Sequence, residues 1–172
     1  MKLFLLVVLS GLGFVQTGVR AAERSLSPGQ AVVTFVSPEN FTDSSDDAAA
    51  SAESRQQVLS EIRAQFELLA KRYLREGQQL ELTVTDVDLA GAYEPWRGMD
   101  FDHLRILRDI YPPSMQLSFL LLGPEGKVIA EGTRRLRDFG YLQFHAMPSS
   151  DPLRYEKDMI GLWMKTEFGR RS

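Results

Sequence analysis

The chain contains 172 residues, of which 44% are hydrophobic and 25% are charged, and its formal net charge is −3. This length suffices for one domain with a sizeable core. The sequence has no cysteine, which excludes disulfide bonds, thiol catalysis and thiolate metal ligands. This negative net charge argues against nucleic acids and anionic membranes as main partners.

The first residues have the pattern of a secretory signal peptide. A positive start at Lys2 precedes an apolar run, Leu3 to Val15, and Val19-Arg20-Ala21 fits a small-x-Ala cleavage site. The run is shorter than the roughly 20 residues that a membrane-spanning helix needs. We therefore expect residues 1–21 to be removed and residues 22–172 to form one exported domain without a transmembrane segment. The removed segment carries two basic and no acidic residues, so the net charge changes from −3 to −5.

The first half of this domain predicts a strand, a loop and a long helix. Gln30–Val36 is a short apolar, β-branched run between turn residues, which is typical of a strand. Residues 42–54 are polar and acidic and predict a mobile loop. Ser54 and Gln57 resemble a capping box, and Gly77 marks the end of the helix. The apolar residues at helical spacing in between are Val58, Ile62, Phe66, Leu69 and Tyr73.

The second half predicts four strands and a terminal helix. The strand segments are Leu80–Leu89, Leu104–Ile110, Met115–Leu122 and Lys127–Leu136. A Gly-Pro-Glu-Gly turn at 123–126 predicts that the last two form a hairpin. Asp151-Pro152 has the form of an N-cap with proline at the first helical position.

The resulting order is β-α-β-β-β-β-α. Short connections between the last four strands favour antiparallel neighbours. We therefore predict an α+β fold, in which a mostly antiparallel twisted sheet carries one long helix and a C-terminal helix on the same face.

Polar and aromatic side chains are dense after the second strand. We call the candidate binding residues of this region the polar cluster: Asp86, Asp88, Glu94, Trp96, Arg97, Arg105, Arg108 and Asp109. In a regular strand, Asp86 and Asp88 share the phase of core residues such as Val84. Because an unpaired buried charge is costly, we expect Asp86 or Asp88 to pair with one of the arginines.

Two interpretations of the polar cluster compete. It is either an ion network that holds the turn at Gly91, or a site in which arginines bind an anionic ligand by bidentate hydrogen bonds. A divalent-ion site at Asp86, Asp88, Glu94 and His103 matches no defined metal motif. We therefore predict no metal, no cofactor and no catalytic residue.

Three motifs in one order resemble a known family. They are Thr85-Asp-Val-Asp-Leu-Ala-Gly91, Glu94-Pro-Trp-Arg97 and Leu107-Arg-Asp-Ile-Tyr-Pro-Pro113. They resemble the exported bacterial proteins grouped as domain of unknown function 3016. The resemblance implies export, to the periplasm of a Gram-negative bacterium, and a single domain. It implies no activity, substrate or catalytic residue.

The sequence leaves three hypotheses for function. The first is a non-catalytic periplasmic binding or accessory domain whose partner is a small anionic ligand or an envelope protein. The second is a hydrolase that uses acids and arginines of the polar cluster, which requires an open pocket where these charges converge. The third is an envelope interaction module with an exposed apolar patch around Trp96 or residues 141–147.

Overall fold

The computed structural model describes residues 30–43, 52–94, 96, 104–143 and 149–169. The regular elements, in chain order, are β1 (Gln30–Phe35), α1 (Ala52–Tyr73), β2 (Gln79–Asp88), β3 (Ala92–Tyr93), β4 (Arg105–Ile106), β5 (Ser114–Leu122), β6 (Val128–Arg137) and α2 (Arg154–Phe168). Single 3₁₀ turns lie at Pro38–Asn40 and Pro124–Gly126. None of the helices in the described ranges is long and apolar enough to cross a membrane.

The main sheet has four strands in the order β1-β2-β5-β6. β1 runs parallel to β2 because α1 lies between them in the chain, whereas β2–β5 and β5–β6 are antiparallel. The short strands β3 and β4 form a separate antiparallel pair. The predicted α+β class, element order and long and C-terminal helices are confirmed, and the sheet is mixed.

Both helices cover one face of the sheet, and the core lies between them. Alternate residues of β2 and β5 point to this face, so Leu82 and Leu117 are buried with Phe66 of α1 and Ile160 of α2. Trp163 of α2 packs edge-to-face on Phe66, with ring centroids 6.1 Å apart. The apolar residues that predicted α1 therefore pack on this core.

The predicted hairpin between β5 and β6 is present. The Gly123 N–H donates to the Lys127 carbonyl at 2.7 Å and closes the turn. Two residues of this turn, Glu125 and Gly126, have positive φ angles of 62° and 73°. The turn chemistry seen in the sequence therefore places the hairpin correctly.

A β-bulge in β2 changes the phase on which the prediction for Asp86 and Asp88 depended. Val84 pairs with Leu117 and Asp86 with Gln116, so the bulge inserts Thr85 as an extra residue. After the bulge, Val87 is the residue that enters the core, with 2% exposure. Asp86 and Asp88 are only half-buried. The expectation that they point toward the core was wrong because it assumed a regular strand.

Three predicted boundaries also need correction. The strand expected at Leu104–Ile110 is reduced to Arg105–Ile106, and Ile110 is 61% exposed. α1 already includes Ala52, so Ser54 lies inside its first turn and is not the N-cap. Asp151 does accept a hydrogen bond, from the Leu153 N–H at 2.9 Å, but α2 begins at Arg154.

Candidate functional site

The turn after β2 is the centre of the polar region. Gly91 adopts φ 82°, a left-handed conformation that side chains disfavour. Its N–H donates to the Tyr111 carbonyl at 3.0 Å. A Cβ at this position would lie 2.8 Å from the Ile106 carbonyl oxygen, so the β4 backbone approaches too closely for any side chain. Glycine is therefore required here by both conformation and space.

Arg105 of β4 binds the carbonyls of this turn. Its Nη1 donates to Gly91 at 2.8 Å, to Leu89 at 3.1 Å and to Ala90 at 3.4 Å. Its Nη2 forms an ion pair with Asp43, which follows the first strand and its 3₁₀ turn. Burial lowers the pKa of the Arg105 guanidinium below its ordinary value. One guanidinium thus joins two segments that are 62 residues apart in the chain.

Glu156 of α2 approaches the same turn from the core side. Its side chain is 1% exposed, and Oε1 accepts a hydrogen bond from the Ala90 N–H at 2.7 Å. Within the described part of the chain, Oε2 is buried without a hydrogen-bond partner. Desolvation raises the pKa of this carboxyl, while the Ala90 N–H and the charge of Arg105 oppose the shift. Glu156 therefore holds the turn while its second oxygen remains unsatisfied.

A second buried carboxylate, Glu94, lies just after β3. It is 0% exposed, and its Oε1 lies 3.2 Å from the Arg108 Nη1. The Tyr111 hydroxyl donates to the same oxygen at 3.2 Å. The Tyr141 hydroxyl donates to the Arg108 carbonyl at 2.6 Å. Burial raises the pKa of Tyr141 to about 12, so this hydroxyl keeps its proton and remains a donor at neutral pH.

The structure pairs Arg105 with Asp43 and Arg108 with Glu94. The predicted alternative of a pair with Arg97 lies outside the described residues. Both Asp86 oxygens accept hydrogen bonds from Thr42, from its N–H at 2.8 Å and from its hydroxyl at 3.0 Å. Asp86 therefore fixes the chain beyond β1 to the end of β2.

The remaining members of the polar cluster are dispersed. Trp96 is 72% exposed, and Asp109 is exposed in the turn before Tyr111. Arg97 lies outside the described residues, as do residues 144–147 of the segment in which an aromatic patch was expected. The structure thus brings Glu94, Arg105 and Arg108 to the Gly91 turn but does not gather the whole cluster around one point.

A cavity of about 190 Å³ lies beside this turn, between the first turns of α1 and the end of β2. Its walls are mostly apolar and come from Phe41, Val58, Leu59, Val87, Leu89 and Tyr93. Its polar lining residues are Asp43, Ser54, Arg55 and Arg105. The Arg105 guanidinium also lies 5.0 Å from the Tyr93 ring centroid, a cation–π distance. This cavity is the candidate functional site.

Arg55 is the second arginine that lines the cavity. It is half-buried in the first turns of α1, and its Nε is buried without a hydrogen-bond partner in the described part of the chain. A buried N–H that finds no acceptor costs about 1–3 kcal/mol. The cavity therefore combines apolar walls with two arginines, one of which already binds a carboxylate.

The sequence did not identify Asp43, Arg55 or Glu156 as site residues. Asp43 and the start of α1 fell within the segment assigned to the mobile loop of residues 42–54. Glu156 is one acid among 23 acidic residues, and only its burial in the fold distinguishes it. The apolar spacing of α1 predicts that Val58 and Ile62 face the sheet, but it does not show that Val58 lines a cavity while Ile62 lies in the core.

The described residues contain no group of three or more His, Asp or Glu side chains arranged to hold a metal ion. The carboxylates that the structure does bring near the Gly91 turn are each opposed by an arginine or a backbone N–H. What the arrangement offers chemically is recognition of a negative group beside an apolar surface.

The family model described as Protein of unknown function (DUF3016) matches residues 29–166. The chain belongs to this family. The match extends from the start of β1 nearly to the end of α2, so it includes every element that borders the cavity. No curated protein and no solved structure matches the chain.

Proposed function

We propose that this DUF3016 protein is exported to the periplasm of a Gram-negative bacterium and acts there as a non-catalytic binding domain. The pattern of residues 1–21 supports export, because a positive start, a short apolar run and a small-x-Ala site occur in that order. N-terminal sequencing of protein recovered from the periplasmic fraction is expected to begin within two residues of Ala22. Recovery of the intact N-terminus from the cytoplasmic fraction alone would contradict export.

The observation that carries the binding proposal is the cavity at Arg105. An apolar cavity of about 150 Å³ is large enough to hold benzene, so a volume of about 190 Å³ accepts an aromatic ring or a short acyl group. The arginines at its polar end suit a negative group on the same molecule. The ligand is therefore a small amphipathic anion.

The geometry supports binding over hydrolysis. A hydrolase with two acidic groups needs both of them directed at one substrate position. Among the described residues that line the cavity, Asp43 is the single carboxylate, and it is paired with Arg105. Glu94 is buried against Arg108, away from the cavity lining.

Calorimetric titration of the mature chain tests the binding proposal, with 4-phenylbutyrate and hexanoate as probes. We expect saturable binding of at least one probe to the wild type. Leu59→Trp fills the cavity from α1 and is expected to abolish this binding. Leu68→Trp is the matched control, because Leu68 lies on the same helix and is 62% exposed. Absence of saturable binding, or equal binding to the Leu59→Trp variant, would contradict the proposal.

Exposed apolar residues favour a second candidate function, docking to an envelope protein. Ile110 is 61% exposed and Phe139 is 69% exposed. Their segments lie side by side, because the Asp138 N–H donates to the Pro113 carbonyl at 3.2 Å. A photo-crosslinking residue at position 110 or 139 is expected to capture the same protein in intact cells. The same residue at position 68 is the control, and failure of both patch positions to capture a protein would contradict this candidate.

A further inference from the structure

Strand β6 lies at one edge of the main sheet, and its outer side has no strand partner among the described residues. The strand is 10 residues long and contains no proline. An edge of this kind presents a row of unpaired N–H and C=O groups to another strand. The opposite edge strand, β1, is only 6 residues long. β6 is therefore the edge of the sheet that is better suited to pair with a further strand.

The hydrogen bond from the Asp138 N–H to the Pro113 carbonyl shows which backbone groups of β6 point outward. Hydrogen-bonded pairs alternate along an antiparallel ladder. The register of β6 on β5 therefore directs the backbone groups of Gly132 and Arg134 toward β5. The residues whose backbone groups point to the open edge are Glu131, Thr133 and Arg135.

The side chains of these three residues are exposed on the sheet face that the helices leave uncovered. Their neighbour Arg134 lies on the helix side, where its guanidinium binds Glu167 of α2 at 2.7 Å and lies 5.1 Å from the Phe119 ring centroid. The charge of Arg134 is therefore already paired within the chain. In contrast, Glu131 and Arg135 form no ion pair within the part of the chain that the structure describes.

The charges on this edge are self-complementary in one antiparallel register. When Thr133 faces Thr133 of a second copy across a two-fold axis, Glu131 lies opposite Arg135 of that copy, and Arg135 lies opposite its Glu131. Each of these pairs can exchange two backbone hydrogen bonds, because all three residues direct their backbone groups outward. Opposite charges that face each other across two strands stabilise the pairing. On the helix side, the same register places Ala130 opposite Leu136 of the second copy.

Neighbouring registers lose this complementarity. An axis at Arg134 places two arginines opposite each other, which is unfavourable. An axis at Gly132 leaves Glu131 opposite Thr133, without a cation. A parallel pair in register aligns identical charges. The pattern of charges therefore favours a second copy of this chain, in one register, as the occupant of the edge.

We infer that β6 pairs with β6 of a second copy around a two-fold axis at Thr133, so that two four-stranded sheets join into one continuous sheet. This interface goes beyond the binding function proposed above. It does not depend on that function, because the residues that line the cavity come from other elements.

Sedimentation equilibrium of the purified protein tests the inference, and we expect a reversible dimer. Glu131→Arg and Arg135→Glu each place like charges opposite each other at two positions, so each is expected to weaken dimerisation about tenfold or more. Glu81→Arg is the matched control for charge reversal, because Glu81 is exposed on β2, away from the edge. It is expected to dimerise like the wild type, and an equal loss in this control would overturn the inference.

Mixing the two variants tests the register itself. In an equimolar mixture of Glu131→Arg and Arg135→Glu, every facing pair again has opposite charges, so we expect a heterodimer with about wild-type affinity. Two folded variants that do not associate on mixing would overturn the inference. A wild type that stays monomeric leaves the edge to a strand of another protein and would also overturn it.

A cysteine variant keeps the inference testable if the charge variants prove unstable. The chain has no cysteine, so Thr133→Cys introduces a single thiol. Facing residues of a hydrogen-bonded antiparallel pair have Cα atoms about 5.5 Å apart, which a disulfide can span. Oxidation is therefore expected to link most of this variant into a covalent dimer. Thr34→Cys, exposed on β1, is the control and is expected to stay mostly unlinked. Equal linking of the two variants would overturn the inference.

Discussion

The two halves of β2 are stabilised in different ways. The first half contributes Leu80, Leu82 and Val84 to a core in which each is at most 1% exposed. Beyond the bulge, the strand leads into a turn whose backbone groups are bound by Arg105 and Glu156. The first half is stabilised by burial of apolar surface, and the turn by specific hydrogen bonds to residues distant in the chain.

This difference affects how each half responds to change. Apolar burial is non-directional and depends mainly on volume, so conservative substitutions in the core are tolerated. A buried hydrogen bond depends on one donor and one acceptor, and removal of either leaves the other unsatisfied. The turn is also the part that borders the cavity, through Leu89 and Arg105. The structural requirements of the turn and the proposed binding site therefore involve the same residues.

The largest expected effect is in the core. Phe66 is 0% exposed and packs on Trp163, so Phe66→Ala is expected to lower the free energy of unfolding by about 3–5 kcal/mol. Urea denaturation followed by circular dichroism measures this value. Leu68→Ala is the control on the same helix, expected to change stability by about 0.5 kcal/mol or less because Leu68 is 62% exposed. Equal effects of the two substitutions would contradict the assignment of the core.

An intermediate effect is expected at the turn. Gly91→Ala places a Cβ 2.8 Å from the Ile106 carbonyl oxygen, at a position where φ is 82°. We expect this substitution to lower the free energy of unfolding by about 2 kcal/mol or more. Gly126→Ala is the matched control, since Gly126 has φ 73° but no atom within 4 Å of the added Cβ. Gly126→Ala is expected to lower the free energy of unfolding only by the penalty for a left-handed backbone conformation, about 1–2 kcal/mol. If urea denaturation gives both variants the same stability, close contact with β4 does not stabilise the turn.

The smallest effect depends on pH and concerns Glu156. Desolvation raises its pKa in the folded protein above the ordinary value of 4.5. The folded state therefore binds the carboxyl proton of Glu156 more tightly than the unfolded state does. The stability that this proton contributes is fully present below pH 4.5 and is lost as the pH rises through the raised pKa. Glu156→Gln cannot ionise, so its stability relative to wild type is expected to increase between pH 4.5 and pH 7.5. Urea denaturation at several pH values measures this difference.

Glu53→Gln is the control for loss of one acid, because Glu53 is exposed in the first turn of α1. It is expected to follow the pH dependence of the wild type. A constant difference between Glu156→Gln and wild type across this pH range would show that Glu156 has the same pKa in the folded and the unfolded protein, and would contradict the prediction.

Most of the elements could be predicted because their signals are local. The long helix, the hairpin at 123–126 and the order of the main strands follow from periodicity and turn residues within short windows. The strand predicted at Leu104–Ile110 shows the limit of this approach. Its apolar residues suggest a strand, but Ile110 is exposed and only two residues pair with β3.

The candidate site was predicted less well than the fold. Glu94, Arg105 and Arg108 do meet at the Gly91 turn, yet their ion-pair partners and the cavity did not follow from spacing. Asp43 lies 62 residues from Arg105, and Glu156 lies 66 residues from Ala90. The bulge at Thr85 also reversed the faces of the residues after it, which no local pattern in β2 revealed.

The sequence by itself determined where the two helices and the four strands of the main sheet lie, and that the chain contains no thiol chemistry. These properties depend on side-chain type and on the periodicity with which side chains of a helix or a strand point to one face. Only the tertiary structure decided that Asp43, Arg55 and Arg105 share one cavity and that Glu156 binds the turn. Pairing of charges and backbone groups requires contact at hydrogen-bond distance, and folding alone brings residues so far apart in the chain within that distance.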